Sequence, residues 1–323
     1  MNTIRGKIIL AFAIVYVVWG STYLGIRVAV ETIPPFILSG TRQLAAGVLL
    51  LAFARWRSRG NERSAVGRAE WLSASLMGIL MFLLGNGLLS WAETRIDSGL
   101  AALLVGAIPL WVVILERFKP WGERRPVTAQ KALGVAVGLV GLGLLVWPAD
   151  HGGVRMDPLA IGLVMIGSLG WAVGTVIAPS LKHSKDKVES AAMSMLAGGV
   201  IVLGVAAVKG ELAGFTLASV GVRGWASWWY LVVFGSMIAY SAYVWLLAHV
   251  EAGKIATYAL VNPIVAVFLG WLLVGEAITP KMLLATAIII AGLALTLFGG
   301  EAAAWTGRQV ERVTGRQVGR AAG

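Results

Sequence analysis

Long apolar stretches separated by short polar ones recur along the chain to about residue 299. Ten can be read, at approximately 8–27, 34–54, 71–91, 98–116, 129–147, 157–178, 190–208, 226–248, 255–274 and 282–299, numbered here as spans 1 to 10. A helix needs roughly 20 mainly apolar residues to cross a bilayer, and most of these stretches come close to that length. The pattern predicts an all-α integral membrane protein of ten transmembrane helices. Span 6 gives the weakest signal, being glycine-rich and interrupted by Trp171 and Pro179. Span 1 follows Arg5 and Lys7, as a secretion signal would. Its apolar run continues too far and lacks a convincing cleavage site, so it is expected to stay in the protein.

Composition sharpens this picture. Of 323 residues, 58% are hydrophobic and 13% charged, against about 25% charged in soluble domains. There is no cysteine, which excludes disulfides and thiolate metal sites, and neither a metal nor a cofactor is expected. The 14 tryptophans suit anchoring at the headgroup level. A net charge of +11 raises the question of nucleic acid, but the basic residues are scattered over many short loops rather than gathered on one face. Sidedness explains them better. Of the 27 Lys and Arg, only six (Arg27, Arg95, Arg155, Lys209, Arg223 and Lys281) fall on one side, Arg42 alone lies inside a span, and the rest fall on the side of the N-terminus. Cytoplasmic loops carry the excess of Lys and Arg, so both termini are expected in the cytoplasm and the protein in the bacterial inner membrane.

A set of landmarks recurs at a nearly constant offset of 152–154 residues. Trp19 matches Trp171, Trp91 matches Trp245, Gly99 matches Gly253, and Pro109 matches Pro263. Gly122-Glu123 matches Gly275-Glu276, and Pro126 matches Pro280. The division this predicts is a first five-helix repeat over 1–150, a second over 151–300, and a basic cytoplasmic tail over 301–323, disordered or lying on anionic lipid. Because five is odd, the second copy enters the membrane from the opposite side. Such inverted repeats are a recurrent architecture of secondary transporters. Two similar units of opposite orientation can exchange conformations, and a pocket between them then opens to one side or the other at similar energy.

The stretch Trp19-Gly20-Ser21-Thr22-Tyr23, then Pro34-Pro35 and Arg42, resembles the EamA-like branch of the drug/metabolite transporter superfamily. So do Trp171-Ala172-Val173-Gly174-Thr175, Asn262-Pro263 and Gly275-Glu276. The resemblance covers about residues 8–299. It implies ten helices around a central cavity and export of amino acids or related metabolites from the bacterial cytoplasm, with import or exchange as the alternative.

Residues inside the spans supply the candidate binding site. Arg42 lies about eight residues into span 2, near 12 Å deep at about 1.5 Å per residue. A cation at such depth costs roughly 2.5–3.5 kcal/mol even on insertion scales, so it marks a functional site by default. It could face a cavity and pair with a substrate carboxylate, or pair with helix carbonyls or a rim acid (Glu31, Glu93 or Asp97). No Asp or Glu lies deep in any span, so a coupling proton would have to use a rim carboxylate. Asn86 and Asn262 offer amides in spans 3 and 9. Trp19, Trp171, Tyr23, Tyr240 and Tyr258, with Thr22 beside the first motif, could form aromatic walls. Pro109 and Pro263 are expected to bend spans 4 and 9 at matching places and free backbone carbonyls. Gly134-x-x-x-Gly138 and Gly170-x-x-x-Gly174 permit close helix packing.

No phosphate-binding loop is present, which argues against an ATP-driven pump. With His151, His183 and His249 all at loops or span ends, an embedded enzyme lacks its parts. A channel or lipid scramblase is the rival from another class. The expected site is a cavity lined by spans 1–4 and 6–9, with spans 5 and 10 peripheral, in a monomer or homodimer. Its partners are the lipid bilayer and a small-molecule substrate; nucleic acid is not among them.

Overall fold

A computed structural model describes residues 2–58, 66–118, 128–147, 154–250 and 257–314. All elements in these residues are helical, and they group into ten spans. Span 1 is Asn2–Ala29, span 2 Pro35–Arg57, span 3 Arg68–Ala92, span 4 Ser98–Phe118 and span 5 Ala129–Val146. Span 6 is Pro158–Ile177, span 7 Lys187–Val208, span 8 residues 222–249, span 9 Tyr258–Val274 and span 10 Pro280–Thr314. Eight of them contain helices long and apolar enough to cross a membrane, and span 9 is a shorter apolar helix. Span 6 is a regular helix despite its glycines. Pro158 opens it, with the Asp157 side chain accepting from the N–H of Leu159 at 2.8 Å and of Ala160 at 3.2 Å. Pro179 falls beyond its end, in a 3₁₀ turn. Span 10 continues helically to Thr314, past residue 301; residues 315–323 lie outside the described set.

A hydrocarbon environment leaves no backbone group unpaired, and large apolar side chains point outward accordingly: Ile9, Val48, Val140, Leu273 and Leu284 are exposed. Inside, Leu38, Leu100, Leu103, Leu104, Leu110 and Ile289 are buried in one core. The packing obeys a pseudo-two-fold rule. Span 1 packs on spans 8 and 9, and span 6 packs on their counterparts, spans 3 and 4. Span 2 packs on its own counterpart, span 7, and span 5 on span 10. Glycines permit the closest of these approaches. A Cβ added to Gly292 of span 10 would stand 2.4 Å from the Gly138 amide and 2.7 Å from the Gly134 carbonyl of span 5. At Gly40 and Gly47 it would run into Leu203 and Leu196 of span 7. This is an all-α membrane fold of two inverted five-helix repeats.

Two irregularities were not expected. Spans 3 and 8 each contain a π-helical stretch, Gly78–Gly87 and Leu231–Ile238, at matching places in the two halves. The expected matching bends at Pro109 and Pro263 take different forms. Span 4 breaks at Gly106-Ala107, between Ser98–Val105 and Ile108–Phe118, just before Pro109. Pro263 instead sits within the one helix Tyr258–Val274. The repeat landmarks Gly122, Glu123, Pro126 and Gly253 lie outside the described residues.

Candidate functional site

Spans 1–4 and 6–9 enclose a cavity of about 130 Å³, and spans 5 and 10 contribute nothing to its wall. All nine residues singled out in the sequence as candidate ligands line it: Trp19, Thr22, Tyr23, Arg42, Asn86, Trp171, Tyr240, Tyr258 and Asn262. Pro109 and Pro263 do not, though their neighbours Ile108 and Asn262 do.

Among the described residues, Arg42 is the only formally charged one in that wall, and it is 7% exposed. Its Nε donates to the Ser236 hydroxyl at 3.0 Å. Ser236 belongs to the π-helical stretch of span 8, so a local distortion in one half holds the cation of the other. Gly235 lies against the same group, since a Cβ there would stand 3.2 Å from a terminal guanidinium nitrogen. Glu31, Glu93 and Asp97 all stay beyond ion-pairing distance of Arg42. Its pairing with a rim acid is therefore not what holds it.

The aromatic wall is built on span 1. Trp19 Nε1 donates to the Gly235 carbonyl at 3.2 Å, a group within the π-helical stretch of span 8. The Trp19 ring meets Tyr243 and Tyr258 with centroids 5.2 Å apart in each case. Its repeat mate Trp171 lies over Gly85 in the π-helical stretch of span 3, where a Cβ would come within 2.8 Å of the ring. Asn262, with its amide nitrogen turned to the nearby acceptors, donates to the carbonyls of Tyr258 at 3.1 Å and Tyr16 at 3.2 Å. That leaves its oxygen for the cavity.

Sequence reasoning missed several wall residues. Gln43 follows Arg42, lines the cavity, and has an Oε1 with no hydrogen-bond partner. An amide beside an intramembrane cation was a readable signal. Ser168, which accepts from Trp111 Nε1 at 3.2 Å, and Ser236 carry no such signal, because serine is common in spans as interhelical glue.

Compared with known proteins, the EamA-like transporter family model matches twice, over residues 6–147 and 158–298. The chain belongs to the EamA-like transporter family. This EamA-like protein is 35% identical over 285 residues, covering 88% of each chain, to "Uncharacterized inner membrane transporter YedA" of Escherichia coli K12. It is 24% identical to "Uncharacterized transporter YoaV" of Bacillus subtilis, covering 90% of this chain and 97% of that one. It is 25% identical to the S-adenosylmethionine/S-adenosylhomocysteine transporter of a Chlamydia trachomatis strain, covering 86% and 85%. A solved crystal structure shares the fold at a TM-score of 0.60 and 19% identity, covering 95% of this chain and 99% of the other. The chain is thus a transporter of the drug/metabolite type.

In this EamA-like fold the Gly-Glu motif has a structural role. Gly275 ends span 9 with φ +69°, a left-handed conformation suited to glycine. The turn aims Glu276 at the start of span 4, where its carboxylate accepts from the N–H of Ser98 at 2.8 Å and Gly99 at 3.0 Å. One half thereby caps a helix of the other. Beside it, Asp97 accepts from the Arg155 N–H at 2.9 Å. Burial pushes the Asp97 carboxyl above its ordinary range, with the Arg155 N–H pulling the other way. Glu211 does for span 2 what Glu276 does for span 4, accepting from the N–H of Phe36 at 2.9 Å and Ile37 at 3.0 Å. The repeated tryptophans near span ends each meet a basic partner four residues on: Arg95 lies over Trp91 at 4.5 Å, and His249 stacks on Trp245 at 4.0 Å.

Proposed function

We propose that this transporter carries amino acids or related small carboxylate-bearing metabolites outward across the bacterial inner membrane by alternating access. The observation that supports it most is the wall of the cavity, which is aromatic and amide-lined with one buried cation and no anion. A substrate carboxylate would give Arg42 the counter-charge that its hydrogen bond to Ser236 does not supply. Trp19 and Tyr258, both in that wall, would take the apolar part of the same molecule. Eight spans, four from each repeat, meet at this point, as a pocket presented to each side in turn requires. Both termini lie in the cytoplasm on this reading, the side to which most Lys and Arg fall.

Adenosyl amino acids form a second reading. A carboxylate for Arg42 and a flat ring for the aromatic wall are both present in S-adenosylhomocysteine, and one relative is named as a transporter of it. The test is counterflow in proteoliposomes, with labelled amino acids and labelled S-adenosylhomocysteine as separate probes. Arg42→Ala is expected to lose uptake of any carboxylate probe that the native protein carries, while inserting and eluting normally. Unchanged uptake by that variant would remove Arg42 from the site. Saturable counterflow separates a carrier from a channel or scramblase.

A further inference from the structure

Glu93 is an acid that the binding site does not use and the membrane environment does not welcome. Its position at the end of span 3 looked like a rim, yet it is 0% exposed, and neither carboxyl oxygen has a hydrogen-bond partner. The Glu93 N–H donates to the Leu89 carbonyl at 2.9 Å. Asn86 and Leu89 line the cavity, and Glu93 follows Leu89 by four residues, one helical turn further on. Glu93 therefore stands one turn past the cavity wall.

The charged and titratable groups that act on it come from three elements. Span 1 brings Tyr23 and Arg27, span 2 brings Arg42, and the turn after span 9 brings Glu276. Close by, Asp97 accepts from the Arg155 backbone N–H, and the Arg155 guanidinium donates to the Thr94 carbonyl. Glu276 is held by the amides of Ser98 and Gly99. The Arg27 backbone amide faces the Glu93 carboxyl but belongs to the span 1 helix. Neither Arg27 nor Arg42 comes within ion-pairing distance. An ionised carboxylate buried without a partner costs several kcal/mol. A merely structural position would be served as well by an apolar side chain.

We propose that Glu93 is a proton-binding site whose occupancy is tied to Arg42, an inference that rests on the reading of the cavity as a carboxylate site. Arg42 keeps one anionic partner at a time. When a substrate carboxylate holds it, Glu93 takes a proton from water and is neutral. When the unloaded Arg42 turns to Glu93, that proton is released and the Glu93 carboxylate becomes the partner. One proton binds and one leaves per cycle, with no other bond changed, so a proton and a carboxylate substrate cross together, and outward transport runs down the substrate's own gradient.

Two measurements on the full chain in liposomes test this. Infrared difference spectra between acid and neutral pH need no substrate. They are expected to show a carboxyl C=O band at the high frequency of an acid without hydrogen bonds, present in the native protein and lost in Glu93→Gln. A spectrum unchanged by that substitution overturns the proposal. The second measures uptake of a mixture of labelled amino acids with and without an imposed proton gradient. The gradient is expected to speed native uptake several-fold, to have no effect on Glu93→Gln, and to regain its effect in Glu93→Asp. A gradient response that survives in Glu93→Gln also overturns it. Absence of any native uptake counts against the amino-acid reading instead, and the infrared result then decides on Glu93 alone.

Discussion

At the scale of single residues, function concentrates where polar groups are buried for no structural return. Arg42 costs burial energy and receives one neutral hydrogen bond, from Nε to Ser236 at 3.0 Å. A hydrogen bond to a charged group contributes about 1.5–3 kcal/mol. Ser236→Ala is therefore expected to weaken apparent substrate affinity by roughly tenfold without lowering expression, whereas Arg42→Ala abolishes transport. Equal losses in both would mean that Ser236, not the cation, is the ligand. Asp97 permits a pH prediction. Burial raises its carboxyl pKa in the folded protein, so between the ordinary and the raised values the folded state binds more protons than the unfolded one. Stability then falls as pH rises through that window and is greatest below it. Asp97→Asn keeps an acceptor for the Arg155 N–H and removes the charge. Its Tm is expected to vary less steeply with pH across that window, and an undiminished slope would refute the assignment. In the sequence, Arg42 was legible because a cation inside an apolar run has few explanations. Glu93 was not, because a position at a span end says nothing of whether neighbouring chains cover it.

At the scale of elements, most spans were legible to within a few residues, since apolar run length is a strong signal in lipid; the helix of span 10, which runs on to Thr314, was the exception. The π-helical stretches in spans 3 and 8 were not. They leave no mark on apolar periodicity; Trp171 over Gly85 and Trp19 at the Gly235 carbonyl meet them from other spans. Matching prolines pointed instead to spans 4 and 9, where only the first half breaks its helix. Close packing of spans 5 and 10 gives a paired test. Gly292→Ala would push a Cβ to 2.4 Å from a backbone amide, and backbone cannot move aside as a side chain end can. It is expected to cost 1–3 kcal/mol, the usual range for overpacking. Gly143→Ala, with open space around it, is expected to be neutral or to stabilise by up to about 1 kcal/mol through helix propensity. Thermal unfolding in detergent checks both, and equal effects would contradict the packing described.

At the scale of the molecule, the two-times-five architecture could be read before any coordinates, because an internal repeat with an odd number of crossings permits only an inverted arrangement. What the sequence could not supply is the meeting of the halves around one cavity, which depends on contacts between residues some 150 positions apart. Those contacts also offer a lock. A Cβ on Gly99 of span 4 would lie 3.1 Å from the Cα of Val267 in span 9, close enough for a disulfide between cysteines at the two positions. The chain has no cysteine of its own, so added ones report without background. The most direct measurement is labelling of Asn86→Cys, in the cavity wall, by an impermeant maleimide in vesicles of each orientation. It is made before and after a separately oxidised and quenched Gly99→Cys/Val267→Cys lock. Alternating access predicts labelling from both sides when unlocked. With the lock closed it predicts labelling from the side opposite Glu276 alone, together with loss of transport that reduction restores. Labelling from both sides in the locked protein, or transport undiminished by the lock, would contradict the account.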